Sequence, residues 1–386
     1  MILVKKRNIN SDIFLKNTFN LIKNIIIFIS VICICALILI FPKFSSEGVK
    51  KGLFFCSDII IPSLFPFMVI SSFIVKSNLS LKIGKLMSPL TKFLFNLPGY
   101  IGPTIILGLI GGYPTSARGV KSLFEKKIIT DSDAERIMLF SVGAGPAFVV
   151  SIIGINFLRN SKAGIIILVS QITASIILGV LIGLFYKTNK INFTNNKKNT
   201  QNSEKVKLSS AFIESCSDSC YGLINLCSLV VVFSVIILFL DSLGVSNIIS
   251  TILSNLGISH RISKSILPIF LEVTSGSMIA SQNGAPIELI SFALGWGGIC
   301  VHFQIFSALH GINFSIIKFM IFRFFHGLIA ALITNILLHF FPISIEVFSN
   351  TNRSLEIATY SDYTGCVALI LLSIFFVLSI SQKRMC

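Results

Sequence analysis

Apolar positions along this chain come in long blocks, not at the three-to-four spacing of a half-buried surface helix. Blocks at 21–41, 59–75, 164–186, 223–240, 314–341 and 367–380 reach or approach the roughly 20 residues that a helix needs to cross a bilayer core. The pattern predicts an all-α polytopic membrane protein of about eight transmembrane helices. Their expected positions are 20–42, 57–76, 134–158, 163–186, 210–241, 285–309, 314–341 and 362–381. The first block follows Lys5, Lys6 and Arg7, but it exceeds a signal-peptide core and no small-residue cleavage pattern follows, so a retained span is expected. Two further apolar stretches are too short to cross twice. One, at 100–125, is interrupted by Gly111-Gly112-Tyr113-Pro114; the other, at 265–283, is interrupted around Glu272 to Gly276. Legs of about ten residues reach only half of the hydrocarbon thickness, which is the length of a re-entrant hairpin.

Composition agrees, and charge adds direction. Hydrophobic residues make up 53% of the chain and charged residues 12%, about half the charged share of a soluble domain. The net charge of +16 is distributed over the connections between spans, which argues for membrane orientation and against nucleic acid. With a cytoplasmic N-terminus and hairpins that return to the side they entered, the cytoplasmic segments are the N-terminal tail, 76–99, 119–136, 187–209, the 310–323 corner and the C-terminus. They hold most of the 32 Lys and Arg residues. On the same assignment the order span, hairpin, interrupted span, span occurs twice with opposite orientation. The expected organisation is a tail and first span (1–56), a first repeat (57–186), an Asn/Lys-rich cytoplasmic linker (187–209), a second, inverted repeat (210–341), and an outer loop with a C-terminal span (342–386). Many secondary transporters are built this way, with broken helices freeing backbone groups to bind a solute near the midplane.

Candidate chemistry concentrates at the breaks. Gly112, Tyr113, Pro114, Thr115 and Ser116 would open a half-helix whose unpaired N–H groups suit a carboxylate or phosphate, with Arg118 one turn on to fork onto a planar carboxylate. The competing reading has the glycines serving close packing and Arg118 snorkelling to the interface. Gly143, Gly145 and Pro146 interrupt the span after the first hairpin, and Gly295-Trp296-Gly297-Gly298 interrupts its counterpart. Glu272 is the acid deep in the second hairpin, expected to carry a coupling proton, bind a cation or pair with a base such as Arg118, the competing reading being a structural ion pair or a hydrogen bond to the broken backbone. Thr274, Ser275, Gly276 and Ser277 set hydroxyls and backbone beside it. Asn283 opens the next span as a cap or a ligand, while Trp296 and Gln304 either stack on and hydrogen-bond an aromatic solute or pack between helices. The nine cysteines form no CxxC pair and His302, His310 and His326 fit no HExxH frame, so no metal or cofactor is expected. Absence of GxxxxGK[ST] and GxSxG frames argues against ATP-driven transport and against an enzyme.

GLIGGYPTSARG at 108–119, SVGAGPAFVVSIIG at 141–154, EVTSGSMIAS at 272–281 and GWGG at 295–298 resemble the YlbJ-type sporulation integral membrane proteins of the nucleoside-recognition, or gate-domain, superfamily. The likeness covers roughly 20–340, and the two-hairpin plan is more remotely similar to concentrative nucleoside transporters. What the resemblance implies is passage of dipicolinic acid, a small organic anion, from the mother cell across the outer forespore membrane. Expected partners are that anion, the lipid bilayer, a second copy of the chain and a downstream transporter in the inner forespore membrane. The alternatives are a nucleoside carrier and a non-transporting scaffold for spore-envelope assembly.

Overall fold

Proline and glycine punctuate the helices, and among the described residues there is no strand. The computed structural model of the protein describes residues 41–77, 79–185 and 207–343, with isolated positions between 25 and 40. Much of the expected span at 20–42, nearly all of the 187–209 linker, the loop beyond 343 and the expected C-terminal span at 362–381 lie outside the described residues.

Helix α1 (Pro42–Phe54) runs through a π-helical segment (Phe55–Ile60) into α2 (Ile61–Lys76). Together they form one apolar element over Pro42–Ile74, so this span starts well before the expected residue 57. Helix α3 (Leu79–Phe95) follows, then the first hairpin, α4 (Gly102–Gly111) and α5 (Tyr113–Glu125). Next come α6 (Asp131–Ser141), a π-helical stretch (Phe148–Phe157) and α7 (Ser161–Phe185). The second half repeats the order: α8 (Leu208–Ser242), the short α9 (Val245–Asn255), a hairpin of α10 (His260–Leu271) and α11 (Val273–Gln282), then α12 (Ile287–Trp296), α13 (Gly298–Ala308) and α14 (Ile316–Phe340). Among the described residues five elements are long and apolar enough to cross a membrane: Pro42–Ile74, Ser161–Phe185, Leu208–Ser242, Ile287–Ala308 and Ile316–Phe340. The chain is an all-α polytopic membrane protein. The span expected at 134–158 with a break at Gly143 to Pro146 is interrupted there, residues 142–145 leaving helical geometry between α6 and the π-helical stretch.

Local chemistry explains the boundaries. Pro42, Pro103 and Pro114 sit in first turns, where a missing N–H costs nothing. Helix α6 starts with a reciprocal cap: Asp133 N donates to Thr130 Oγ1 at 3.2 Å and Thr130 N to Asp133 Oδ2 at 3.1 Å. Glycines allow the closest helix crossings. Methyl groups on Gly295 would strike the Gly327 backbone of α14, and Gly164 on α7 lies against Gly154 in the π-helical stretch.

One end of the molecule carries a polar belt that joins the two halves. Lys76 pairs with Glu214 at 3.2 Å and Asp218 at 2.6 Å. Lys318 pairs with Glu135 at 3.0 Å, Asp131 and Glu135 accept from the Asn313 and Ser315 amides, and Lys121 donates to the His310 carbonyl. Each contact links an element before residue 186 to one after 207.

Candidate functional site

The two hairpin breaks and both interrupted spans meet at one cavity. From the first hairpin come Gly111, Gly112, Tyr113 and Pro114; from the first interrupted span, Gly145 and Phe148. The second hairpin contributes Glu272, Val273 and Thr274, and α13 contributes Val301 and Gln304. Apolar residues of α2 and α8, among them Leu64, Met68, Leu226 and Val230, complete the wall. The space open to water is about 40 Å³, room for about three waters and not for a drug-sized solute.

Each hairpin break leans on the break of the span that follows it. A methyl on Gly112 would lie 3.4 Å from the Gly145 nitrogen, and a methyl on Gly298 would lie 3.1 Å from the Glu272 backbone. Gly112 has φ 84° and ψ 179°, a region that side-chain-bearing residues essentially do not enter, so the tight reversal from α4 into α5 depends on glycine. Gly297 and Gly298 also have positive φ, at 86° and 76°.

The two half-helix N-termini facing the cavity differ in chemistry. Helix α5 follows Gly112 with no side-chain cap; Pro114 in its first turn has no N–H and Thr115 N donates to the Gly112 carbonyl at 3.1 Å, so this end turns chiefly its partial positive charge toward the cavity. Helix α11 begins at Glu272, whose carboxylate accepts from Thr274 N at 2.8 Å and Ser275 N at 2.6 Å. Glu272 is 1% exposed and belongs to none of the ion pairs among the described residues. Two amide bonds and the helix dipole balance the buried carboxylate in place of a cation. The expected Glu272 to Arg118 pair is not formed.

Of the expected site residues, Gly112, Tyr113, Pro114, Gly145, Glu272, Thr274 and Gln304 line the cavity. The others lie elsewhere. Arg118 donates through Nη1 to the Asp218 carbonyl at 3.2 Å, and its guanidinium lies on Gly222 of α8. One turn beyond the break, it faces a neighbouring helix and not the cavity, nearer to the packing reading of this residue than to the clamp. Thr115 returns its hydroxyl to the Gly111 carbonyl and Ser116 bonds Ser141. Gly143 and Pro146 shape the interruption without lining the space, and Gly276 packs on the Ile269 backbone. Ser275 contributes its amide to Glu272, Ser277 is buried, and Asn283 donates to Ser265 across the second hairpin. Trp296 donates to the Phe270 carbonyl and meets His302 edge-on at 4.4 Å between ring centroids, so it packs behind the break. Among the described residues no group of three His, Cys, Asp or Glu side chains is placed to hold a metal.

Sequence reading missed Arg323. It falls within the apolar block 314–341 and was assigned to the cytoplasmic corner, yet it is fully buried on α14. Its guanidinium donates to the carbonyls of Val142 and Gly295, one at each interrupted span, and lies 5.9 Å from the centre of the Tyr113 ring. An arginine inside an apolar block was the available signal.

No family model matches the chain, and no solved structure does. Among curated proteins it is similar to the sporulation integral membrane protein YlbJ of Bacillus subtilis (strain 168), 21% identical over 286 residues that cover 68% of this chain and 70% of that one. By that similarity, together with its all-helical membrane architecture, the chain resembles an integral membrane protein of sporulation.

Proposed function

We propose that the protein is an alternating-access carrier for a small organic anion, dipicolinate first among candidates, moved from the mother cell across the outer forespore membrane during sporulation. The observation that carries this reading is the convergence of both hairpin breaks and both interrupted spans on one cavity, with the uncapped N-terminus of α5 turned into it. A carboxylate seated there would meet the positive end of a helix dipole, and Tyr113 and Phe148 offer aromatic faces to a flat ring. Glu272 already fills the corresponding position on α11 with a carboxylate of the chain's own. The relative's description as a sporulation integral membrane protein supports the setting. In this reading both termini are cytoplasmic, residues 57–186 and 210–341 are inverted repeats, and the chain is not an enzyme.

A nucleoside carrier is the second reading, favoured by the position of Arg118 away from the cavity and by the neutral hydrogen-bonding groups of Thr274 and Gln304 within it. Purified protein in proteoliposomes, offered radiolabelled dipicolinate or radiolabelled uridine, decides between them. Saturable dipicolinate uptake that unlabelled uridine does not inhibit supports the anion carrier. Uridine uptake alone supports the second reading, and uptake of neither removes both.

A further inference from the structure

Arg323 is fully buried and enters no ion pair among the described residues. The carbonyls it meets are those of Val142, just past the end of α6, and Gly295, in the last turn of α12, with the Leu294 carbonyl at 3.5 Å. Terminal carbonyls of a helix lack intrahelical donors and carry partial negative charge. Two half-helix C-termini thus stand in for a carboxylate, and a single planar fork joins the two interrupted spans. Tyr113 connects this arrangement to the cavity. Its hydroxyl donates to the Leu294 carbonyl at 2.6 Å, its ring lies beside the guanidinium, and it lines the cavity at the start of α5.

We propose that Arg323 and Tyr113 form a latch that ties the interruption of the first broken span to that of the second and passes cavity occupancy to both, Arg323 acting as a positioning residue. The proposal rests on the carrier reading for its role in transport. Its physical core can be read without transport, because Trp296, the chain's single tryptophan, adjoins Gly295 and bonds the Phe270 carbonyl. Its fluorescence therefore reports on the second interrupted span.

The test uses the full chain with Tyr113→Phe, Arg323→Lys and the double substitution. Tyr113→Phe removes one hydroxyl from the first hairpin, and it is expected to raise acrylamide quenching of Trp296 by about twofold. Arg323→Lys is expected to do the same, and the double variant no more than the larger single, since both cut one chain of contacts. In proteoliposomes each variant should lower maximal dipicolinate uptake about tenfold while KM moves less than about threefold. Additive quenching in the double variant, or wild-type quenching in Tyr113→Phe, overturns the latch. A raised KM at unchanged maximal rate makes Arg323 a solute ligand and overturns it as well. If Arg323→Lys does not fold, Tyr113→Phe quenching and kinetics alone decide. Coupled quenching in a protein that moves neither dipicolinate nor uridine would leave the tie standing and remove the carrier reading.

Discussion

At the scale of single residues, the cavity is governed by buried charges balanced by helix ends. Glu272 is held by two amides of α11, so its replacement separates charge from shape. In Glu272→Gln one oxygen still accepts an amide, while the new NH2 group meets a second donor. A loss of about 1–3 kcal/mol is expected in thermal unfolding, and Glu272→Ala should lose more. If the carboxylate carries the coupling proton, Glu272→Gln also drops uptake by about tenfold or more in folded protein. Full uptake in that variant would confine Glu272 to capping. An acid among apolar residues beside hydroxyls was legible in the sequence, as was the glycine-proline break. Arg323 was not legible as a buried group, and the sequence leaves Arg118 between a clamp and a packing role. Spacing along a chain gives distance from a break but not which neighbouring helix a side chain meets, and the Gly222 face that receives Arg118 lies about a hundred residues away.

At the scale of elements, the hairpins and interrupted spans were legible because proline and glycine end helices by chemistry local to the sequence. The short helices α3 and α9 were not, since lysines and serines among their apolar residues resemble a connection when read for membrane crossing. The span beginning at Pro42 was shortened for the same reason, with Lys50 and Lys51 masking a helix that continues through the π-helical segment. Breaks that share a glycine signature still differ in tolerance. At Gly112 a methyl has room, its nearest neighbour being 3.4 Å away, so the penalty of Gly112→Ala comes from backbone conformation. The φ and ψ there are nearly exclusive to glycine, and a cost of about 1–3 kcal/mol is expected. Gly297 sits in the ordinary left-handed region with φ 86°, where alanine costs about 1–2 kcal/mol. Gly112→Ala should therefore melt at a lower temperature than Gly297→Ala in the same detergent. The reverse order would mean that packing on Tyr113, whose ring would lie 3.6 Å from the new methyl at 297, outweighs the backbone term.

At the scale of the whole molecule, the cavity and the polar belt divide the work of joining the halves. The buried core runs continuously across both, whereas the belt consists of partly exposed ion pairs, each worth about 0–1 kcal/mol. Such contacts are weak enough to break and re-form during a transport cycle, and they all bridge elements before residue 186 and after 207. If the belt closes access to the cavity, weakening it should open the cavity while leaving the fold intact. Cys300 is a native reporter: it is buried, and its sulfur lies 3.5 Å from Gln304 Nε2, whose side chain borders the cavity. In the Lys76→Ala, Glu135→Ala double variant, labelling of Cys300 by a small hydrophilic maleimide, mapped by mass spectrometry, should quicken several-fold, with thermal unfolding lowered by no more than about 2 kcal/mol. High salt should raise labelling of the wild type toward the same level, because partly exposed pairs are screened. Unchanged labelling in both conditions would show that the belt is a static join and that access to the cavity is controlled elsewhere, at the opposite end of the interrupted spans.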